Sequence, residues 1–272
     1  MRWLMAGIVL LTLDVSAAEP VRLHIDRVPD QSFAEALSAR VAGLEWVSGD
    51  ESAPAQLVFD QLPDDAGTPV FAVRVPYRDL VRTSDCRCTG VALEPDPADQ
   101  LWLLRRLLPQ ARRVGVLLHP DNAWQEKRLD AAAASLALAI RYRQLESVDE
   151  LSKALADILP RVDALMLMPD PRLFNASTAK LILLTSYRQD RPVLGPDQRF
   201  VSAGSLASVF VKETDQVESL ANLIHRWRSS GVLPAPRFAG GSVAINEHVA
   251  RSYGVSLPEN VHKLQQELEV RP

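Results

Sequence analysis

The sequence predicts an α/β fold made of two lobes, each organised around a parallel sheet. Beyond residue 112, short apolar runs alternate with longer stretches whose apolar residues recur every three or four positions. This alternation is typical of strands and helices in βαβ units. The 272 residues suffice, even without a short export segment, for one large domain or for two lobes with buried cores. We therefore expect two lobes.

The second half of the chain shows its elements most clearly. Arg113–Leu118 is a buried apolar run typical of a parallel strand, and Asp121 or Asn122 is expected to cap the helix predicted over Trp124–Ile140. The other predicted strands are Arg141–Glu146, Val162–Met168, Pro192–Leu194, Ser205–Val211 and Ser242–Ile245. The other predicted helices are Val148–Leu159, Ser177–Arg188, Asp215–Arg228 and one that begins near Pro258.

The region before residue 112 is less regular but contains the same kinds of element. The predicted strands are Val21–Ile25, Gln56–Phe59, Pro69–Val75 and Thr89–Leu93, and the predicted helices are Ser32–Val41 and Pro97–Leu108. We expect the boundary between the lobes near Pro109–Arg112, where the last of these helices is followed by the apolar strand.

The first 18 residues have the features of an export signal. Arg2 precedes the apolar run Trp3–Leu13, and the small residues Ser16–Ala18 follow it. The apolar run is shorter than the roughly 20 residues that a membrane-spanning helix needs. We expect cleavage after Ala18 and a periplasmic protein. No cysteine lies at the cleavage point, so neither a lipid anchor nor direct membrane insertion of the mature chain is expected.

Charge and cysteine usage exclude several classes of partner. The chain has 30 basic and 34 acidic residues, a formal charge of −4, without a long run of either sign, which argues against a nucleic-acid partner. Cys86 and Cys88 have neither zinc-knuckle nor C-x-x-C spacing. They can form a small disulfide or remain reduced. A copper or redox site is a less supported alternative, because no methionine or histidine cluster lies nearby.

Motifs for catalysis, metal binding or cofactor binding are absent from the sequence. It contains no G-x-S-x-G, H-E-x-x-H, phosphate-binding glycine loop or G-x-G-x-x-G. Its five histidines are scattered, and pairs of acids such as Asp96 and Asp99 are expected to be solvated or to cap helices. We therefore expect no enzyme activity, no metal site and no cofactor.

Three segments in the same order resemble the ABC transporter substrate-binding protein family. They are Cys88–Asn122 with its T-G-V, L-L-P and R-V-G-V-L motifs, Arg191–Val209, and Leu233–Glu259. The resemblance implies a type I periplasmic-binding fold, in which two Rossmann-like lobes close over a ligand. It divides the chain into residues 19–111 for the first lobe, 112–204 for the second, and 205–272 for a segment that returns to the first lobe and adds a last strand and helix.

The resemblance also implies a ligand site between the lobes, outside the carboxyl ends of the strands. In the second lobe this edge is formed by the loops that follow the strands ending at Leu118, Met168 and Leu194. The side chains there that can contact an amine, a carboxyl group or an apolar portion of a ligand are those of Asn122, Trp124, Asp170, Asn175 and Asp197.

Other roles for these residues remain open. Asn122 and Asn175 can cap helices, Asp170 can close a turn, and Trp124 can belong to the core. Gly204 and Ser205 can act as a hinge where the chain crosses between lobes or can form an ordinary turn.

The first lobe departs from the family pattern. The chain runs from Gln56–Phe59 through Leu62–Gly67 directly into the next strand, and Val75–Arg78 lies where the family has a small polar ligand loop. A ligand-binding element therefore looks shortened. We expect a solute-binding receptor for a small molecule, with an amino-acid-like ligand as a candidate and an ABC-transporter permease as partner. The alternative is an accessory or sensory protein that contacts a sensor kinase or an outer-membrane receptor system.

Overall fold

The computed structural model of the protein describes residues 21–25, 31–47, 53–64, 67–82, 86–257 and 261–269. The predicted export segment lies outside the described residues. The strands are β1 (Val21–Ile25), β2 (Leu44–Val47), β3 (Ala55–Phe59), β4 (Val70–Val75), β5 (Cys88–Ala92), β6 (Arg113–Leu118), β7 (Ala139–Gln144), β8 (Ala164–Leu167), β9 (Val193–Leu194), β10 (Ala207–Phe210) and β11 (Ser242–Ile245). The α-helices are α1 (Gln31–Ser38), α2 (Tyr77–Arg82), α3 (Pro97–Leu107), α4 (Trp124–Ser135), α5 (Leu151–Ile158), α6 (Ala176–Arg188), α7 (Gln198–Ala203), α8 (Glu213–Ser230), α9 (Glu247–Ser252) and α10 (Val261–Glu269).

The first lobe is built on a parallel sheet with the strand order β2-β1-β3-β4-β5. Residues Val70–Val73 of β4 are all buried, because a parallel sheet is covered on both faces. α1 and α8 pack together in the core of this lobe, to which they contribute Phe33, Leu37, Leu220 and Ile224. A helix from late in the sequence is therefore part of the first lobe.

The second lobe contains a six-stranded sheet with the order β11-β10-β9-β8-β6-β7. All its neighbouring strands are parallel except β10 and β11. One of its cores includes Leu104 of α3, Leu129 of α4 and Leu264 of α10, and another includes Leu155 of α5 and Ile182 of α6. The predicted α/β class, with two lobes that are each built on a mainly parallel sheet, is confirmed.

The chain passes between the two sheets in three places, at Leu93–Asp96, at Val211–Lys212 and at Arg237–Gly241. In the last of these, Arg237 lies beside β5. Its N–H donates to the carbonyl of Gly90 at 3.0 Å, and its carbonyl accepts from the N–H of Ala92 at 2.9 Å. Each lobe is thus assembled from separate parts of the chain.

α3 packs in the second lobe, although the lobes were expected to meet after it, near Pro109–Arg112. Its apolar face is buried in the second lobe's core. The side-chain amide of Gln100 also donates to the carbonyls of Gly195 and Val209, both at 3.2 Å. The change of lobe therefore falls at Leu93–Asp96. A helical pattern shows that α3 has an apolar face, but it does not show which sheet that face covers.

Most predicted elements are present with ends shifted by a few residues. The helix predicted over Trp124–Ile140 ends at Ser135, because Ala137 has a left-handed backbone with φ of 52° and β7 begins at Ala139. The sequence patterns did not predict β2, α2, α7 and α9, which have four or six residues each. Such short elements contain too few periods for a pattern to identify them.

The cap of α4 also differs from the prediction. The N-cap residue is Ala123, which makes no side-chain cap. Asp121 and Asn122 lie in a preceding 3-10 turn, where His119 Nδ1 accepts from the N–H of Asp121 at 3.1 Å. The side chain of Asn122 consequently contacts another loop instead of its own helix.

Cys86 and Cys88 form a disulfide at the start of β5. Of the two states that the sequence left open, the structure has the bridged one. At the other end of the chain, Leu264 and Leu268 of α10 are buried against the second lobe.

Candidate functional site

A cleft of about 760 Å³ separates the lobes at the carboxyl ends of their parallel strands. The first lobe contributes the residues after β4 and β5, and the second contributes those after β6, β8, β9 and β10. Polar side chains on its walls include those of Arg78, Glu94, Asn122, Gln125, Asp170, Arg172 and Asp197. Ligands of α/β proteins bind at this edge of the sheets, so the cleft is the candidate site.

Three polar side chains of the second lobe form one hydrogen-bonded group on the cleft wall. Asn122, after β6, donates from Nδ2 to Asp170 Oδ2 at 2.8 Å. Arg172 donates from Nε to Asp170 Oδ1 at 3.0 Å and from Nη2 to Oδ2 at 2.8 Å. Asp170 is only 5% exposed. Its charge is therefore compensated within the protein, and its carboxylate is not a bare anion for a ligand amine.

Arg172 also reaches the loop after β6, where Nη1 donates to Asp121 Oδ2 at 2.6 Å. This hydrogen bond is the main cause that lowers the pKa of Asp121. The bonds to Asp170 and Asp121 together raise the pKa of the Arg172 guanidinium above its usual value. Arg172 thus joins two loops of the site. From the sequence, Arg172 was expected in a loop between a strand and a helix, without a role in the site.

Aromatic side chains from both lobes pack together beside the cleft. The ring of Tyr77, at the start of α2, stacks on that of Phe238 with centroids 4.1 Å apart. The same ring lies 5.6 Å from that of Trp124, the first residue of α4. All three rings pack with buried apolar residues of β4 and β5. Trp124, which was predicted to cover part of a ligand, therefore contacts the first lobe's own Tyr77.

Two charged residues of the first lobe complete this side of the cleft. Arg78 Nη1 donates to the backbone carbonyl of Asp121 at 3.3 Å, a hydrogen bond between the lobes. Glu94 Oε1 accepts from the backbone N–H of Tyr77 at 3.0 Å. Burial raises the pKa of Glu94. The first lobe thus contacts the second lobe directly as well as facing the cleft.

Gln125 is a cleft residue that the sequence patterns did not single out. It is only 1% exposed, and its side-chain Oε1 has no hydrogen-bond partner among the described residues. The same holds for Nε1 of the neighbouring Trp124. Leaving a buried polar group unpaired costs about 1–3 kcal/mol, so such groups are rare without a purpose. A glutamine inside a helix carries no motif, and only its burial at the cleft distinguishes it.

Asn175 and Asp197 both act as helix caps. Asn175 Oδ1 accepts from the N–H of Ser177 at 3.0 Å, and Asp197 Oδ1 accepts from the N–H of Phe200 at 2.9 Å. Asp197 lines the cleft, whereas Asn175 lines a neighbouring pocket. The structure thus brings Asn122 and Asp170 into contact, whereas Asn175 does not line the cleft. Whether any of these residues contacts a ligand stays a prediction.

Gly204 and Ser205 lie within the second lobe. Gly204 ends α7 with φ of 120°, a backbone conformation that glycine adopts without a steric penalty. Ser205 follows it and is buried. The chain leaves the second lobe only after Phe210. Their proposed hinge role stays a prediction.

The described part of the chain has no group of three or more histidine, cysteine, aspartate or glutamate side chains placed to hold a metal ion. Within those same residues, none of the helices combines the length and apolarity required to cross a membrane. The cleft walls contain arginines, internally paired carboxylates and Gln125, whose buried amide oxygen is unpaired among the described residues. This set of groups can bind a solute by hydrogen bonds.

The fold is similar to that of several solved structures. An ABC domain in complex with L-Trp from Streptococcus pneumoniae is 18% identical with a TM-score of 0.57, and the match covers 90% of this chain and 98% of that chain. A ligand-free, open substrate binding protein with adhesive properties from Clostridium difficile is 13% identical with a TM-score of 0.62, covering 88% and 97%. A conserved domain protein from Vibrio cholerae is 15% identical with a TM-score of 0.55, covering 90% and 98%.

Identities this low establish the shared fold and nothing more. No curated protein sequence matches the chain. Residues 79–269, however, match the family described as ABC transporter substrate binding protein. This match covers well over half of the chain, including the second lobe and the segment that returns to the first. The protein therefore belongs to the ABC transporter substrate binding protein family.

Proposed function

We propose that the protein binds a small solute in the interlobe cleft and delivers it to the membrane permease of an ABC-type transport system. The observation that carries this proposal is the cleft of about 760 Å³ at the carboxyl ends of the strands of both sheets. Membership of a substrate-binding family supports it. Solute binding shifts the population of lobe arrangements towards a closed one that the permease recognises. The export segment predicted from the sequence supports a periplasmic location.

Gln125 is the residue we propose as the main polar contact. Its buried and unpaired Oε1 is an acceptor for an N–H or O–H group of the solute. Asn122 and Arg78 line the same cleft and can donate hydrogen bonds to solute oxygens. An amino-acid-like solute is one candidate, since the streptococcal neighbour binds L-Trp. Its ammonium group would have to use acceptors other than Asp170, whose carboxylate is bonded to Arg172 and Asn122.

The test is thermal unfolding of the mature chain from Glu19 onward with a panel of amino acids, organic acids, nucleosides and sugars. A solute that binds only the native state adds about 2.7 kcal/mol of stability at a hundredfold excess over its dissociation constant, which raises the midpoint. We expect Gln125→Leu to abolish this gain in stability, because leucine has a side chain of similar size but no hydrogen-bond acceptor. Gln144→Leu, at an exposed position of β7, is the matched control.

A solute that raises the midpoint of the wild type and the Gln144→Leu control, but not of Gln125→Leu, supports the proposal. A panel without any such solute contradicts it. The alternative, an accessory or sensory protein that contacts other proteins, is favoured by the direct contacts between the lobes at Tyr77–Trp124 and Arg78–Asp121. Under this alternative the lobes remain together without a solute.

A further inference from the structure

A second cavity, which we call the side pocket, lies in the second lobe between the starts of α6 and α7. Its volume is about 480 Å³. Most of its wall is apolar, formed by Phe174, Ala176, Ala179, Pro196, Phe200 and Ala203. Phe174, Ala179 and Phe200 are at most 7% exposed, so this part of the wall belongs to the second lobe's core. This volume lies within the roughly 300–1,000 Å³ of typical ligand pockets.

The polar groups at the side pocket are already bonded within the protein. Asn175 accepts from Ser177 at Oδ1 and donates from Nδ2 to the carbonyl of Pro171 at 3.1 Å. Asp197 accepts from the N–H of Phe200 and forms an ion pair with Arg199 at 3.3 Å. Apart from the exposed guanidinium of Arg199, the pocket therefore provides apolar surface and little unsatisfied hydrogen-bonding capacity. An apolar group fits its chemistry better than a polar one.

The side pocket adjoins the interlobe cleft. The two cavities share wall residues from the loops after β8 and β9, namely Pro169, Asp170, Pro171, Asp197 and Arg199. Arg199 is 94% exposed in its side chain, so it does not seal the boundary between them. The side pocket and the cleft are therefore adjacent cavities with this wall in common.

We propose that the side pocket binds the apolar part, a ring or a short branched chain, of the same solute whose polar part lies in the cleft. This inference rests on the proposed function and assigns a substrate class to it. The solute is amphipathic, with hydrogen-bonding groups for the cleft and an apolar substituent for the side pocket. Each methylene group buried there strengthens binding roughly fourfold.

The experiment compares solutes that share a polar part but differ in their apolar part. Glycine is paired with phenylalanine, acetate with phenylacetate, and glycinamide with phenylalaninamide, and each dissociation constant is measured by calorimetric titration of the mature protein. Where a pair binds, we expect its larger member to bind at least tenfold more tightly than its smaller member. Ala203→Phe should remove this preference because the phenylalanine fills the pocket. Ala203 lies at the exposed rim, so its substitution should leave the fold intact.

A second filling variant and a control keep the result interpretable. Ala176→Phe, at the other exposed side of the rim, should act like Ala203→Phe, whereas Ala134→Phe, on the exposed face of α4, should retain the preference. Equal binding of both members of a pair, or a preference that survives both filling variants, overturns the inference and leaves the proposed function intact. A panel in which only sugars or other solutes without an apolar part bind also overturns the inference and leaves the proposed function intact. A panel in which no solute binds overturns the proposed function and the inference with it.

Discussion

The two walls of the interlobe cleft are built differently. The wall of the second lobe consists of loops that follow β6, β8 and β9, joined by the hydrogen bonds among Asn122, Asp170 and Arg172. The wall of the first lobe is formed around α2, whose Tyr77 packs against Trp124 of the second lobe. Hydrogen bonds within the second lobe hold its wall together, whereas the wall of the first lobe packs against the other lobe.

This difference indicates that the two walls have different roles around the cleft. The second lobe retains polar residues at the carboxyl ends of its strands, where a ligand of this fold binds. In the first lobe, a helix lies where a small polar loop was expected, and its aromatic side chain contributes to the contact between lobes. We therefore expect changes in the first wall to affect the arrangement of the lobes, and changes in the second wall to affect the stability of the loops themselves.

The largest effect is expected for Tyr77→Ala. This change removes the ring that lies against both Phe238 and Trp124, and the loss of a half-buried aromatic side chain should cost about 2–3 kcal/mol of unfolding free energy. It should also increase the radius of gyration in small-angle X-ray scattering, because the lobes lose a contact. Tyr77→Phe keeps the ring and should resemble the wild type. An unchanged radius in Tyr77→Ala would show that this contact does not set the lobe arrangement.

The second wall is tested by Asp170→Asn. The asparagine cannot accept all the hydrogen bonds from Arg172 and Asn122, and we expect a loss of about 2 kcal/mol in urea unfolding without a change in the radius of gyration. Asp157→Asn, at an exposed position of α5, is the control and should have little effect. A marked change of radius in Asp170→Asn would remove the distinction between the two walls.

The ion pair between Asp163 and Arg113 lies away from the cleft. Its contribution to stability can be compared with that of the hydrogen-bonded group around Asp170. Burial by itself would raise the pKa of Asp163. Hydrogen bonds from the Arg113 guanidinium and from the backbone N–H groups of Arg112 and Arg113 outweigh it and lower this pKa to about 2. A lowered carboxyl pKa stabilises the native state above the unfolded value of 3.8, and this stability is lost as the pH falls through about 2.

Asp163→Asn should therefore lower the unfolding free energy by about 1 kcal/mol at neutral pH, an amount limited by solvent screening of this partly exposed pair. The difference from the wild type should narrow as the pH is lowered from about 4 to about 2. Urea unfolding at a series of pH values measures it. A difference that stays constant over this range would mean that the carboxylate charge is not its source.

The smallest effect is expected for Glu94→Gln on the first wall. Burial raises the pKa of Glu94, so the ionised carboxylate destabilises the native state above its folded pKa, and this cost disappears as the pH falls through that value. Glutamine keeps the acceptor for the N–H of Tyr77. We expect Glu94→Gln to raise the unfolding free energy by less than about 1 kcal/mol at neutral pH and to leave it unchanged in acid. A loss of stability at neutral pH would show that the carboxylate is favourable in this position.

Sequence patterns predicted the second lobe better than the first. Within the predicted strands Arg113–Leu118 and Val162–Met168, the stretches Val114–Leu118 and Ala164–Met168 carry no charged residue, because both faces of a parallel sheet are covered. In the first lobe, β2 and α2 were missed because each contributes only a few residues. The prediction of Asp170 as a cleft residue followed from its place after a strand, whereas Gln125 had no such signal.

The sequence by itself determined the α/β class, the order of the main strands and helices, and the loops that lie at the carboxyl ends of the second lobe's strands. These features depend on local periodicity and on the residues that end each element. Only the tertiary structure decided that α3 packs in the second lobe, that Asn122 bonds to Asp170, 48 residues away, and that Tyr77 joins the lobes. Such contacts arise from the packing of distant segments, which local patterns do not encode.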